Sequence, residues 1–78
     1  MDEATILRDL GNRIRTQRRA IGFTQEALAL VAEVDRSYFG AVERGERNIT
    51  FTLLCRLALA LRCDVGTLAA GIPNAGDS

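Results

Sequence analysis

Residues 24–45 read TQEALALVAEVDRSYFGAVERG, and this stretch decides the fold. Thr24 and Asp35 are side-chain acceptors placed where a helix must begin, so each can satisfy an amide that the first turn leaves unpaired. Phe23 with Leu28, and Val34 with Phe39, flank those caps at the spacing of a hydrophobic staple. Glu26 falls in a first turn, where the helix dipole favours a carboxylate. The pattern predicts one helix over about Gln25 to Val31 and another over about Arg36 to Arg44. The short turn Ala32-Glu33-Val34 separates them, and Gly45 stops the second.

Two short capped helices separated by about three residues form a helix-turn-helix arrangement. Small side chains at Ala27, Ala29 and Ala32 let the two helices cross closely. Phe39 and Val42 point inward from the second. Its opposite face then carries Arg36, Ser37, Gly40, Ala41 and Arg44, polar at the leading turn and small in the middle. A helix that enters a DNA major groove needs this shape.

Working outward, Ile6, Leu7, Leu10, Ile14 and Ile21 give a first helix from about Thr5 to Ile21, closed by Gly22. A polar loop, 46–50, leads into a fourth helix, about Thr52 to Leu61, with Leu53, Leu54, Leu57, Ala58 and Leu61 inward. Asp64 caps a short fifth, about Val65 to Ala70. No stretch alternates long enough to be a strand. The expected fold is all-α, five helices in one domain over 1–78, with its core between about 5 and 70 and a flexible tail over 73–78.

Composition narrows the function. The chain has 78 residues, ten Arg and ten acids, no Lys, no His and no Trp. Zinc hydrolysis, a serine-type triad and a Cys/His nucleophile each use an imidazole, so no catalytic residue and no enzyme activity is expected. Cys55 and Cys63 lack other soft ligands for a metal and are expected to be small buried hydrophobes. The seven Gly are scattered and make no phosphate-cradling loop. No cofactor, metal or small-molecule ligand is expected. No apolar run approaches the ~20 residues of a membrane span, and the start Met1-Asp2-Glu3 lacks the basic region of a signal peptide. A cytoplasmic protein is the expectation. Residues 8–47 hold eight Arg against six acids. The candidate DNA face can therefore be basic in a neutral chain.

Three runs carry a family resemblance: Gly11-Asn12-Arg13-Ile14-Arg15, Gly22-Phe23-Thr24-Gln25-Glu26-Ala27-Leu28-Ala29, and Asp35-Arg36-Ser37-Tyr38-Phe39 through Val42-Glu43-Arg44-Gly45. Together they resemble the Cro/repressor (XRE-type) helix-turn-helix family. With Glu46-Arg47-Asn48-Ile49-Thr50 added, the similarity is greater still to the controller proteins of bacterial restriction–modification systems. The resemblance implies a lambda-repressor-like fold and a role for each position. Arg36 and Ser37 are similar to base-reading residues, with Tyr38 and Ala41 as contacts to base methyl groups or sugar edges. Thr24 and Gln25 at the start of the second helix, and Arg47 and Asn48 past the third, resemble contacts to the DNA backbone. Arg18 and Glu43 match a structural pair that bridges the first and third helices.

Three positions depart from the family pattern. Glu33 stands where a turn Gly is usual, Gln17 where an apolar residue is usual, and Arg62 where Gly or Asn commonly follows the fourth helix. The expected function is sequence-specific transcriptional regulation by a homodimer on a two-fold symmetric double-stranded DNA operator. Autoregulation of a restriction–modification-type operon fits the controller resemblance. The alternative is an antitoxin, a phage-type repressor or a protein-interaction module on the same fold. Val65, Leu68 and Ile72, read as apolar surface left over on the fifth helix, are the expected dimer contacts, together with the end of the fourth.

Overall fold

The structure is a computed structural model, and it describes residues 1–74. Residues 75–78 of the expected flexible tail lie outside the described residues. Five helices follow in chain order: α1 (Glu3–Ala20), α2 (Gln25–Ala32), α3 (Arg36–Glu43), α4 (Phe51–Ala60) and α5 (Val65–Ala69). No helix among the described residues is long and apolar enough to cross a membrane.

Every helix starts on a side-chain cap. Asp2, Thr24, Asp35, Thr50 and Asp64 accept from the amides of Thr5, Ala27, Tyr38, Leu53 and Thr67, respectively, at 2.8–3.1 Å. Thr24, Asp35 and Asp64 fall where the sequence places them. Asp2 starts α1 two residues earlier than expected, and Thr50 starts α4 one residue earlier. The backbone amide of Thr5 holds the Asp2 carboxyl below the usual aspartate range, and that of Thr67 does the same for Asp64.

Four helix ends share one closure. The amides of Phe23, Val34, Glu46 and Cys63 donate back to the carbonyls of Arg18, Ala29, Ala41 and Ala58 at 2.9–3.1 Å. This is the Schellman arrangement, which requires a left-handed residue just before the donor. Gly22 and Gly45 supply it at φ 78° and 77°, and Glu33 and Arg62 supply it at φ 58° and 60°. Two of the three unusual residues of the sequence are thus the side chains that, among the described residues, are held in a conformation that favours glycine, at about 1 kcal/mol each relative to Gly.

The core gathers Ile14, Leu28, Phe39, Val42, Leu57, Leu61 and Leu68, with small residues Ala29, Ala32 and Ala58 where helices approach. Burying each large member is worth about 1.5–3 kcal/mol. α3 packs on both α1 and α2, and α4 packs on α2 and α5. Gly11 sets the α1–α3 approach. A Cβ there would stand 2.3 Å from the Glu43 carbonyl oxygen and 2.7 Å from that of Val42. Gln17, polar on an otherwise apolar face, donates its amide to the Leu61 carbonyl at 3.0 Å. Its side chain thereby pairs a carbonyl at the C-terminal end of α4.

Two expectations about α4 and α5 are corrected here. Leu68 is fully buried, so it belongs to the core and offers no surface; Val65 is half-buried against that core and Ile72 is half-buried beyond the end of α5. The helix is short, but α1 and α4 both close over it. Apolar surface is left over on α2, where Leu30 is 79 % and Val31 56 % exposed, and on α4. Phe51 is 69 % exposed and Leu59 is 80 % exposed. Cys55, expected to be buried, is exposed between them at i, i+4, i+8 spacing. Cys63 is half-buried, and burial with the nearby Asp64 charge pushes its thiol pKa up.

Candidate nucleic-acid interface

α3 is held from behind by a buried ion pair. The Arg18 guanidinium on α1 donates from Nε to Glu43 Oε2 at 2.6 Å and from Nη2 to Oε1 at 3.1 Å. Both side chains are almost wholly removed from solvent, at 9 % and 0 % exposure. The third Arg18 nitrogen donates to the Phe23 carbonyl at 2.8 Å. Charges buried this deeply persist only when paired and fully hydrogen-bonded. Burial pushes the Glu43 carboxyl up. Hydrogen bonds from Arg18 and Gln25 and the charges of Arg18 and Arg15 outweigh it and hold the pKa below the usual glutamate value. The structural pair expected from the sequence is therefore present.

Two partners of this pair were not legible beforehand. Gln25, at the start of α2, donates Nε2 to Glu43 Oε1 at 2.8 Å. Arg15 approaches the same carboxylate at 3.6 Å and donates to the Glu43 carbonyl at 3.3 Å. Arg15 lies three residues before Arg18, on the same helix face, and that spacing is the signal that could have found it. Glu43 thus ties α1, α2 and α3 together at one carboxylate. The Gln25 side chain, a candidate phosphate contact, sits half-buried with its amide set by that carboxylate.

Arg36 and Ser37 stand exposed at the leading turn of α3. Asp35 is engaged in capping, which fixes the backbone direction from which those two side chains project. Tyr38 is half-buried against the core, and the Arg47 guanidinium lies over its ring, 5.5 Å from the centroid. The structure therefore brings Tyr38 and Arg47 together, at a distance where cation–π attraction acts. Asn48, next after Arg47, is exposed, and so is Thr24, the N-cap of α2.

Ala41 does not belong to this surface. It is 9 % exposed, and the chain after α3 folds back over that side through the Glu46 amide bond to the Ala41 carbonyl. Gly40 is buried as well, because Arg44 and Gln25 lie across it. The small residues in the middle of α3 therefore serve close packing. The exposed residues along α3 and its C-cap are Arg36, Ser37 and Arg44. Arg44 is on the outer face predicted from the sequence, but its ion pair with Glu46 at 3.0 Å is new.

A helix-turn-helix family model matches residues 14–68. Control protein C.SmaI of Serratia marcescens is 41 % identical over 59 residues, covering 76 % of this chain and 70 % of that protein. The crystal structure of the restriction–modification controller protein C.AhdI from Aeromonas hydrophila superposes with TM-score 0.77 at 44 % identity, covering 80 % of this chain and 94 % of the other. The controller protein C.Esp1396I, solved as a tetramer in complex with its natural 35 base-pair operator, superposes with TM-score 0.75 at 30 % identity, covering 81 % and 83 %.

Proposed function

The chain belongs to the helix-turn-helix family, XRE type, and from that premise we propose that it is a sequence-specific DNA-binding transcriptional regulator of the restriction–modification controller kind. The observation that carries this reading is the exposed leading turn of α3, Arg36 and Ser37, on a helix locked from behind by Arg18 and Glu43. A groove-reading helix gains from such a mount, since a small tilt would misplace every base contact. Arg36 is the base-reading side chain, with Ser37 beside it; an arginine bonds two acceptors on a guanine edge. Tyr38 borders the same surface and holds Arg47 over its ring. Thr24, Gln25, Arg47 and Asn48 take backbone phosphates, which set register without reading sequence.

The working unit is a homodimer, and its seam is the α4 stripe of Phe51, Cys55 and Leu59. The exposed area of Phe51 and Leu59 supports this, since large apolar side chains clustered on one face favour a symmetric contact. Leu68, fully buried, takes no part in this seam. A dimer presents two α3 helices to major grooves about 34 Å apart on one face of the duplex. That C.Esp1396I was solved as a tetramer in complex with its operator supports more than one copy acting on a site. The regulated signal is the concentration of the chain itself, which suits autoregulation of a small operon. Selection from random duplexes followed by footprinting tests this. A two-fold symmetric site with half-sites one helical turn apart is expected; recovery of no enriched sequence contradicts it.

A further inference from the structure

Arg44 closes α3 and lies along its outer face, in the same i, i+4, i+8 row as Arg36 and Gly40. Gly40 leaves room for it: a Cβ there would stand 3.3 Å from Arg44 Nη1, a tight contact. Arg44 is not free to meet an anion. Its Nε donates to Glu46 Oε2 at 3.0 Å, and both side chains are more than half exposed. Glu46 also feels the charge of Arg47, the cation stacked on Tyr38. One exposed carboxylate thus sits between two arginines at the rear edge of the candidate DNA surface. It has no cap to make and no buried donor to satisfy, so the fold does not require it there.

We infer that Arg44 is a further DNA-backbone contact and that Glu46 is its built-in competitor, an intramolecular carboxylate that a DNA phosphate must displace. This deepens the DNA-binding reading and rests on it. An exposed Arg–Glu pair is held weakly and is screened by salt, so a phosphate in the dense charge of a duplex can take the arginine. The exchange leaves Glu46 unpaired beside the DNA, which lowers affinity for every sequence. Glu46 therefore tunes occupancy without touching a base, a useful setting in a regulator that answers to its own concentration.

The test is a double-mutant cycle on the full chain. Wild type, Glu46→Gln, Arg44→Ala and the double variant are titrated by fluorescence anisotropy on the selected operator and on a random duplex of equal length. The titrations are run at about 50 mM and 200 mM NaCl. Glu46→Gln is expected to tighten binding to both duplexes about twofold to fivefold at low salt, the range an exposed ion pair spans. The gain shrinks at high salt and is larger with Arg44 present than with Ala at 44, because only then is a competing pair removed. The melting temperature of Glu46→Gln stays that of wild type. No gain, or an equal gain in both backgrounds, overturns the inference and leaves the DNA-binding reading standing. A wild-type chain that binds neither duplex overturns both.

Discussion

Glu43→Gln removes one charge and almost no volume, so it isolates what the buried pair does. Glu43 receives Arg18 at 2.6 and 3.1 Å and Gln25 at 2.8 Å, and no buried side-chain nitrogen or oxygen among the described residues lacks a partner. A glutamine offers one acceptor oxygen where two were used, and its own amide faces donors. Arg18 is then a buried cation without a countercharge, left with the Phe23 carbonyl and the single glutamine oxygen as acceptors. Stranding one member of a buried pair costs about 3–5 kcal/mol. Arg15 is one-third exposed, so water reaches one side of the site and the lower end applies. A chain of this length holds roughly 4–12 kcal/mol in total. A loss of about 3 kcal/mol then lowers Tm by about 12–24 °C. Thermal melting followed by circular dichroism, with urea titration beside it, measures this. Arg18→Met combined with Glu43→Leu should recover most of the loss, because the stranded charge is gone. A Glu43→Gln melt within about 4 °C of wild type refutes the reasoning. The pH sign follows from the same group. The folded-state pKa of Glu43 is lowered, so its stabilisation is complete above the unfolded value of about 4.3 and is lost as pH falls through the folded one. Wild type loses stability on acidification below about pH 4.3, and Glu43→Gln loses less over the same range.

Glu33→Gly relieves a left-handed side chain at φ 58° and should raise the urea midpoint by the equivalent of about 1 kcal/mol. Arg62→Gly at φ 60° should gain less, since the Arg62 guanidinium lies 5.3 Å from the Phe23 ring centroid and that contact is lost. Leu59→Glu should give a folded monomer by sedimentation, with its helical spectrum intact and operator affinity sharply reduced. Leu68→Glu places a charge in the core and should unfold the chain. A Leu59→Glu dimer would move the seam off α4.

Local signals made the fold legible. Thr24, Asp35 and Asp64 cap where expected, because a side-chain acceptor before an apolar-periodic run has one physical use. Asp2 carries the same signal, since Met1 and Ile6 flank it at the staple spacing. Thr50 was masked by Thr52, which offers the same chemistry two residues on. The exposure of Arg36 and Ser37 was legible from helix register, and the Arg18–Glu43 pair from the family resemblance. The site was not legible where the chain returns over a helix. The loop after Gly45 covers Ala41, and α1 and α4 cover Leu68; both burials are set by distant segments. The turn residues Glu33 and Arg62 stood out as exceptions to a family pattern, and the backbone gives the reason.

The central claim is that the leading turn of α3 reads bases, and Arg36→Ala tests it most directly. Its affinity should be measured on the selected operator and on single-base variants, with Gln25→Ala alongside. The account predicts a loss of about 1–3 kcal/mol for Arg36→Ala on the operator, with preference relaxed at one position of each half-site. Gln25→Ala should weaken all duplexes alike, since a phosphate contact carries no sequence information. An Arg36→Ala chain that binds the operator as tightly as wild type, with every base preference kept, contradicts the account.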